Sequence, residues 1–280
     1  MEIILANKAG FCFGVERAVN QVHSERDKAN GPIYTYGPII HNKEVVKELE
    51  QSGVYVLSEE DSHKKGNGMV VLRSHGVSRQ VQEELIGNGY EISDATCPFV
   101  KKIHKIVSEK SSEGYNILIA GNPDHPEVKS IMGWCNGPVK AVQTLEELEQ
   151  IPEDFLKKVC VVAQTTFNYN KFNILVAKLQ KTMYDILVFN SICNATKERQ
   201  VEAKQLAGTV DCMLIVGDTS SSNTQKLYEI CKQECANTHL VQTAEELDVG
   251  WLEGAKRVGI TAGASTPHNI IEEVQTKCQI

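Results

Sequence analysis

Short runs of apolar residues recur along the chain, among them MVVL, ILIA, CVVA and MLIV, and each gives way to glycine or polar residues. Runs of that length bounded by turn residues fit strands buried on both faces, the habit of parallel sheets covered by helices. Longer stretches between them suit helices, so the pattern predicts an α/β protein. The N-terminal MEIILANKAG also reads as a strand running into a turn.

The order of these elements repeats three times. A cysteine follows a strand-like run and precedes a helix-like one in KAGFCFGVERAV (Cys12), SDATCPFVKKIHKIV (Cys97) and FNSICNATKERQVEAKQL (Cys193). Each helix leads to a strand ending in glycine and a polar loop: IYTYGPIIHN, ILIAGNPDHPE and MLIVGDTSSSN. A second short strand runs into an acidic helix start, where Ser58 with Asp61, Thr144 with Glu147 and Thr243 with Glu246 have the spacing of a capping box. A third strand ends in small polar residues, in MVVLRSHGVS, VCVVAQTTFN and VGITAGASTP. The N-terminal strand would follow the last of these if the units close into a ring. The repeat predicts three small parallel-sheet α/β units of about 85 to 95 residues each. They span residues 14–96, 97–193 and 194–280 with 1–13, in a pseudo-threefold arrangement.

Ligands of open parallel sheets bind beyond the carboxyl ends of the strands. Just after the glycine strands stand His41 with Asn42, His125 with Glu127, and Ser221, Ser222 and Asn223. Just after the third strands stand His75, then Thr165 and Thr166, then Ser265 and Thr266. If the units face a common axis, these residues converge around Cys12, Cys97 and Cys193. A helix N-terminus favours a thiolate over a thiol, so three such cysteines can hold a metal centre. Their separations of 85 and 96 residues match no compact zinc ribbon or ferredoxin run, which puts the centre between domains. Cys160 and Cys212, within strands, read as buried small hydrophobes, and Cys135, Cys231, Cys235 and Cys278 read as incidental. The CKQEC pair has the i, i+4 spacing of metal ligands but no matching partner.

Imidazole, hydroxyl and amide groups near helix N-termini suit a phosphate-type anion. No G-x-x-x-x-G-K-[ST] run supports an ATPase, and GFCFG and GITAGAS are weak grounds for a nicotinamide site. Glu127 is the candidate acid, since a carboxyl enclosed beside an anion has its pKa raised toward neutrality. The plainer alternative for Glu127 is a first-turn glutamate that stabilises a helix N-terminus. His23, His63, His104, His239 and His268 read as surface residues.

Composition narrows the class further. With 280 residues, 41% hydrophobic and 23% charged, the chain suits an ordinary soluble globular protein. A net charge of −7 argues against a general nucleic-acid binder. No apolar run approaches the roughly 18 residues of a membrane span. The N-terminus lacks the features of a secretory signal, and nine cysteines without one argue against a disulfide framework. The expectation is a cytoplasmic protein with reduced thiols.

Nine stretches in order, AGFCFGVERAV, GPIIHN, SHGVS, DATCP, HPEV, QTT, ICNATKERQ, SSNT and GITAGASTP, resemble the 4-hydroxy-3-methylbut-2-enyl diphosphate reductase (LytB/IspH) family over essentially the whole chain. The resemblance implies three α/β domains about a pseudo-threefold axis, with a [4Fe–4S] cluster at the centre. Cys12, Cys97 and Cys193 would then ligate three irons and leave one open, and His41, His75, His125, Ser221, Ser222, Asn223 and Ser265 would hold the diphosphate. It implies reductive dehydroxylation to isopentenyl and dimethylallyl diphosphate, the last step of the methylerythritol phosphate route. Glu127 would deliver protons, with Thr165 or Thr166 completing the relay. Electrons would come from an external ferredoxin or flavodoxin. Lys129, Ser130 and Ile131 depart from the more usual HPEVEGTMG form, and LRSHGVS departs from SAHGVS. Two rivals stand beside the reductase. A redox-neutral hydro-lyase would need no reductant, and an iron–sulfur sensor would bind a diphosphate without using Glu127.

Overall fold

The apolar runs become parallel strands, each pair joined through helices, in a computed structural model that describes residues 1–279. Strand β1 (Glu2–Leu5) is followed by α1 (Phe13–Lys28). Strands β2 (Ile33–Tyr36), β3 (Val54–Leu57), β4 (Met69–Leu72) and β5 (Glu91–Asp94) come next, with α2 (Lys43–Gln51), α3 (Glu59–Ser62) and α4 (Arg79–Gly87) between them. Helix α5 (Pro98–Ser112) leads into β6 (Asn116–Ala120), α6 (Pro126–Met132), β7 (Val139–Val142), α7 (Leu145–Glu149) and α8 (Glu153–Leu156). Strand β8 (Lys158–Ala163), α9 (Tyr169–Leu179) and β9 (Asp185–Val188) follow. The last stretch holds α10 (Asn194–Ala207), β10 (Cys212–Val216), α11 (Ser222–Glu234), β11 (Thr238–Val241), β12 (Arg257–Ala262) and α12 (His268–Lys277).

Three four-stranded sheets result, and all have one strand order: β5-β4-β2-β3, β9-β8-β6-β7 and β1-β12-β10-β11. The strand that precedes each of Cys12, Cys97 and Cys193 is an edge, the strand ending in small polar residues lies next, and the glycine strand follows. The N-terminal strand pairs in parallel with β12, from Glu2 opposite Arg257 to Leu5 opposite Ile260. By its contacts the chain packs as two compact units: residues 1–16, 40–48 and 193–280, and residues 17–39 and 49–192.

Alternation along the central strands fills two layers per sheet. Leu118, Ala120, Val159 and Val161 pack on one face against Phe172, Leu175 and Leu179 of α9. Ile117, Ile119, Cys160 and Val162 pack on the other against Ile103 and Val107 of α5 and Val128 and Ile131 of α6. In the other unit Leu214, Val216, Val258 and Ile260 meet Ile270, Ile271 and Val274 of α12, while Met213 and Ile215 meet Ala203, Leu227 and Cys231. Burial of each such aliphatic side chain contributes ~1.5–3 kcal/mol.

Two of the three expected caps form as written: Ser58 accepts from Asp61 N–H and Thr144 from Glu147 N–H. Thr243 opens only a three-residue 3-10 turn and makes no side-chain cap; Glu246 instead accepts from Gln242 N–H at 2.8 Å. Cys160 and Cys212 are fully buried, as expected of strand residues, and burial pushes their thiols up to about 12 and about 11. His104 is a correction, being buried rather than on the surface. It lies on the apolar stripe of α5 with Val100, Ile103, Val107 and Ser111. Its ring stacks on Trp134 at 5.1 Å and its Nε2 meets Ser130 Oγ at 2.9 Å. His239 likewise stacks flat on Trp251, at 4.0 Å. Among the described residues no helix is long and apolar enough to cross a membrane.

Candidate active site

Cysteine and helix meet in the same way three times. Cys97 and Cys193 are the N-cap residues of α5 and α10, with φ/ψ of −56/133 and −65/136, and neither side chain makes a capping hydrogen bond. Cys12 precedes α1, and its carbonyl accepts the helix's Glu16 N–H at 2.9 Å. All three are partly exposed, unlike the fully buried Cys160, Cys212 and Cys231. The neighbouring loop holds each in a related fashion. Cys12 N–H donates to Ala264 O at 3.2 Å, beside Ser265, and Cys97 N–H donates to Ser74 O at 3.0 Å, beside His75. Before Cys193 the Ser191 hydroxyl makes the link, accepting from Ala163 N–H and donating to Ala163 O. Sulfur donors set at helix N-termini, with neither Cys97 nor Cys193 engaged as a side-chain cap, fit a thiolate-ligated centre.

The unit of residues 17–39 and 49–192 holds the candidate acid. His125 is the N-cap of α6, and its Nδ1 accepts Glu127 N–H at 3.1 Å. That bond needs a lone pair on Nδ1, so a neutral His125 presents an Nε2–H donor. The His75 ring stands edge-on to that of His125 at 5.3 Å. Glu127 is 2% exposed, and its carboxylate receives Thr165 N–H at 2.6 Å on Oε1 and Thr165 O–H at 2.7 Å on Oε2. Burial pushes its pKa up, opposed by the two Thr165 bonds. The neighbouring threonine differs: Thr166 Oγ1 accepts from Gln164 Nε2 at 3.1 Å. Among the described bonds, then, it is Thr165 that meets the acid.

The turn carrying His75 requires glycine at the next position. Gly76 has φ +74, and a Cβ there would stand 2.8 Å from both His104 Cε1 and Ser130 Oγ. Arg73 donates Nε–H to Gly76 O at 3.3 Å and lies over the Tyr36 ring. Arg17 donates to Thr96 O at 2.7 Å, directly before Cys97.

The other unit gathers the anion donors expected from the remaining loops. Ser221 caps α11 by accepting Thr224 N–H at 3.3 Å, which leaves its own O–H to donate. Ser222 and Asn223 open the helix, where backbone N–H groups lack intrahelical acceptors. Asn223 is 3% exposed, and neither its amide oxygen nor its amide nitrogen has a partner among the described residues. A buried amide left that way is costly unless a ligand meets it. Ser265 is placed differently, since its hydroxyl donates to His41 O at 2.9 Å and its carbonyl accepts from Asn42 Nδ2 at 2.9 Å. Ser265 would have to turn its hydroxyl to hold an anion.

Sequence reasoning passed over Asp218, Arg199 and Glu202. Asp218 accepts from Ser220 N–H, Ser220 O–H and Lys43 N–H, tying the α2 start to the Ser221 loop. Burial opposes its charge, but these donors hold its pKa below the usual carboxylate range. Its place after the glycine strand was the available signal. Arg199 and Glu202 bond residues nearly 200 positions away, and no local pattern announces such contacts.

The family model described as LytB protein matches residues 3–279. A 4-hydroxy-3-methylbut-2-enyl diphosphate reductase of Geobacter sulfurreducens is 46% identical over 279 residues, covering 100% of this chain and 97% of its own length. One of the same name from Clostridioides difficile is 45% identical over 276 residues, covering 99% and 98%. Among solved structures, an (E)-4-hydroxy-3-methyl-but-2-enyl diphosphate reductase, described as the terminal enzyme of the non-mevalonate pathway, matches with TM-score 0.71 and 43% identity over 100% of this chain and 99% of that one. The E-1-hydroxy-2-methyl-but-2-enyl-4-diphosphate reductase of Plasmodium falciparum matches with TM-score 0.91 and 29% identity over 98% and 87%.

Proposed function

The chain belongs to the LytB protein family, and from that membership we propose that it reductively removes the allylic hydroxyl of 4-hydroxy-3-methylbut-2-enyl diphosphate. Two electrons and two protons convert the alcohol to isopentenyl or dimethylallyl diphosphate and one water, the terminal step of the non-mevalonate pathway. The observation that carries this reading is the recurrence of Cys12, Cys97 and Cys193 at one position in three sheets of identical strand order.

We assign these three cysteines to one iron–sulfur centre, taken to be a [4Fe–4S] cluster with one iron free of protein ligand. Such a centre supplies electrons one at a time and a Lewis-acidic site for the hydroxyl. The chain's own residues do the rest. His41, His75, His125, Ser221, Ser222, Asn223 and Ser265 bind the diphosphate through neutral donors and the N-terminus of α11. The Nε2–H of His125, the free O–H of Ser221 and the unpartnered amide of Asn223 support that role. Glu127, kept toward its protonated form by burial, is the proton reservoir. Its Oε2 partner, the Thr165 hydroxyl, can take a proton from the acid while passing its own toward the leaving hydroxyl. One proton departs with the oxygen as water and the other joins the carbon skeleton. We assign the electrons to a ferredoxin or flavodoxin, and the cytosol as the compartment, since its thiols stay reduced.

The test is anaerobic turnover of the reconstituted protein with dithionite-reduced viologen, followed by product analysis. Both five-carbon diphosphates should form, and only with reductant present. A dehydrated, more unsaturated diphosphate formed without reductant would instead indicate a lyase, and binding without turnover a sensor.

A further inference from the structure

Arg199 is a buried cation whose bonds all go to the loop that carries Cys12. It is 4% exposed, on the helix that starts at Cys193. Its Nε donates to Lys8 O and its Nη2 to Gly10 O, both at 2.7 Å. Glu202, one turn on, grips the same loop from the other side: Oε1 accepts from Asn7 N–H at 2.8 Å and Oε2 from Lys8 N–H at 2.8 Å. Gly10 has φ +95, and its carbonyl is turned to the arginine two residues before the cysteine. The third nitrogen, Nη1, is buried and has no acceptor among the described residues. Among the described residues no carboxylate bonds the guanidinium, and Glu202 is engaged instead by Asn7 and Lys8. Burial opposes the charge, and Cys12, Cys193 and then Glu202 favour it.

We propose that Arg199 is a positioning residue and counter-charge for the iron–sulfur centre: its fork fixes the Cys12 loop to the helix of Cys193, and it holds a buried positive charge between the two. A buried arginine needs negative charge nearby, and among the described residues no carboxylate bonds this one, which lies on the helix of one cysteine and holds the loop of another. A thiolate-ligated cluster is anionic and becomes more so on reduction. A fixed cation beside it therefore stabilises the reduced form and raises the potential. The fork also holds two of three ligands in place before the centre assembles.

This inference rests on the cluster assignment above, and the two are separated by the following measurement. Cluster-loaded wild type, R199M and R199K are compared anaerobically for midpoint potential and for the rate of iron release to excess chelator, with fold checked by circular dichroism of the apoprotein. R199M should have a more negative midpoint and release iron at least tenfold faster. R199K should recover most of the potential, because the charge stays, and release iron several-fold faster than wild type, because an ammonium lacks the rigid planar fork that spans both carbonyls. Wild-type potential and release rate in R199M would overturn the proposal. If R199M does not fold, R199K decides, and a wild-type release rate in R199K overturns it. Wild-type protein that takes up no centre, or keeps it in C12S, would instead overturn the cluster assignment.

Discussion

At Glu127 burial and hydrogen bonding pull in opposite directions, and burial prevails. The sign sets a stability consequence. The unfolded carboxyl ionises near the ordinary 4.5 while the folded one holds its proton to higher pH. The native state is therefore favoured fully below 4.5 and loses that advantage as pH rises through the folded value. Thermal melts of wild type and E127Q should diverge in favour of the variant as pH rises, and parallel curves would contradict the assignment. In turnover, E127Q should lose about 10²–10⁴-fold in kcat while still binding substrate. T165V should lose activity too, whereas T166V should lose less; equal losses would remove the relay role of Thr165. His104 carries the opposite sign. Burial holds its pKa down to about 4 against an ordinary 6.5, so its contribution is full above 6.5 and is lost as pH falls toward 4. A shift of that size corresponds to roughly 3 kcal/mol. H104F should abolish this part of the acid-side loss in equilibrium unfolding, and an unchanged slope would refute it.

Helix starts and turns position the chemistry at the scale of elements. Ser221 both caps α11 and keeps a free O–H. S221A should therefore cost about 0.5–2 kcal/mol of stability and raise KM. S221T should restore the cap, and failure to do so would argue against capping as the cause. The His75 turn has no room at Gly76, where positive φ and contacts at 2.8 Å coincide. G76A should lower the melting temperature and cluster-independent substrate binding together. Which of these features were readable in advance follows from their range. The side-chain caps at Ser58 and Thr144 and the buried cysteines of β8 and β10 depend on neighbours in sequence, and the sequence patterns foretold them. Thr243 carries the same spacing but opens only a 3-10 turn. His104 was readable in principle, because Val100, Ile103 and Val107 place it on a buried stripe. The choice between Thr165 and Thr166 depends on a side chain 38 residues away and was not.

At the scale of the whole molecule, the repeat read from strand endings reappears as three sheets of one strand order, with the N-terminal strand completing the last. Parallel strands need crossovers, so each cysteine strand brings a helix start with it and each small-polar strand lies alongside. That is why residues 85 and 96 positions apart occupy equivalent places. The tie of residues 7–10 to α10 lay beyond any local pattern, as did the division into two compact units. The most direct test counts iron and acid-labile sulfide in anaerobically reconstituted wild type, C12S, C97S, C193S and C160A. Wild type and C160A should hold about four irons per chain, and each of the three serine variants should lose the greater part. A full complement in any of those three, or its loss in C160A, would contradict the shared centre.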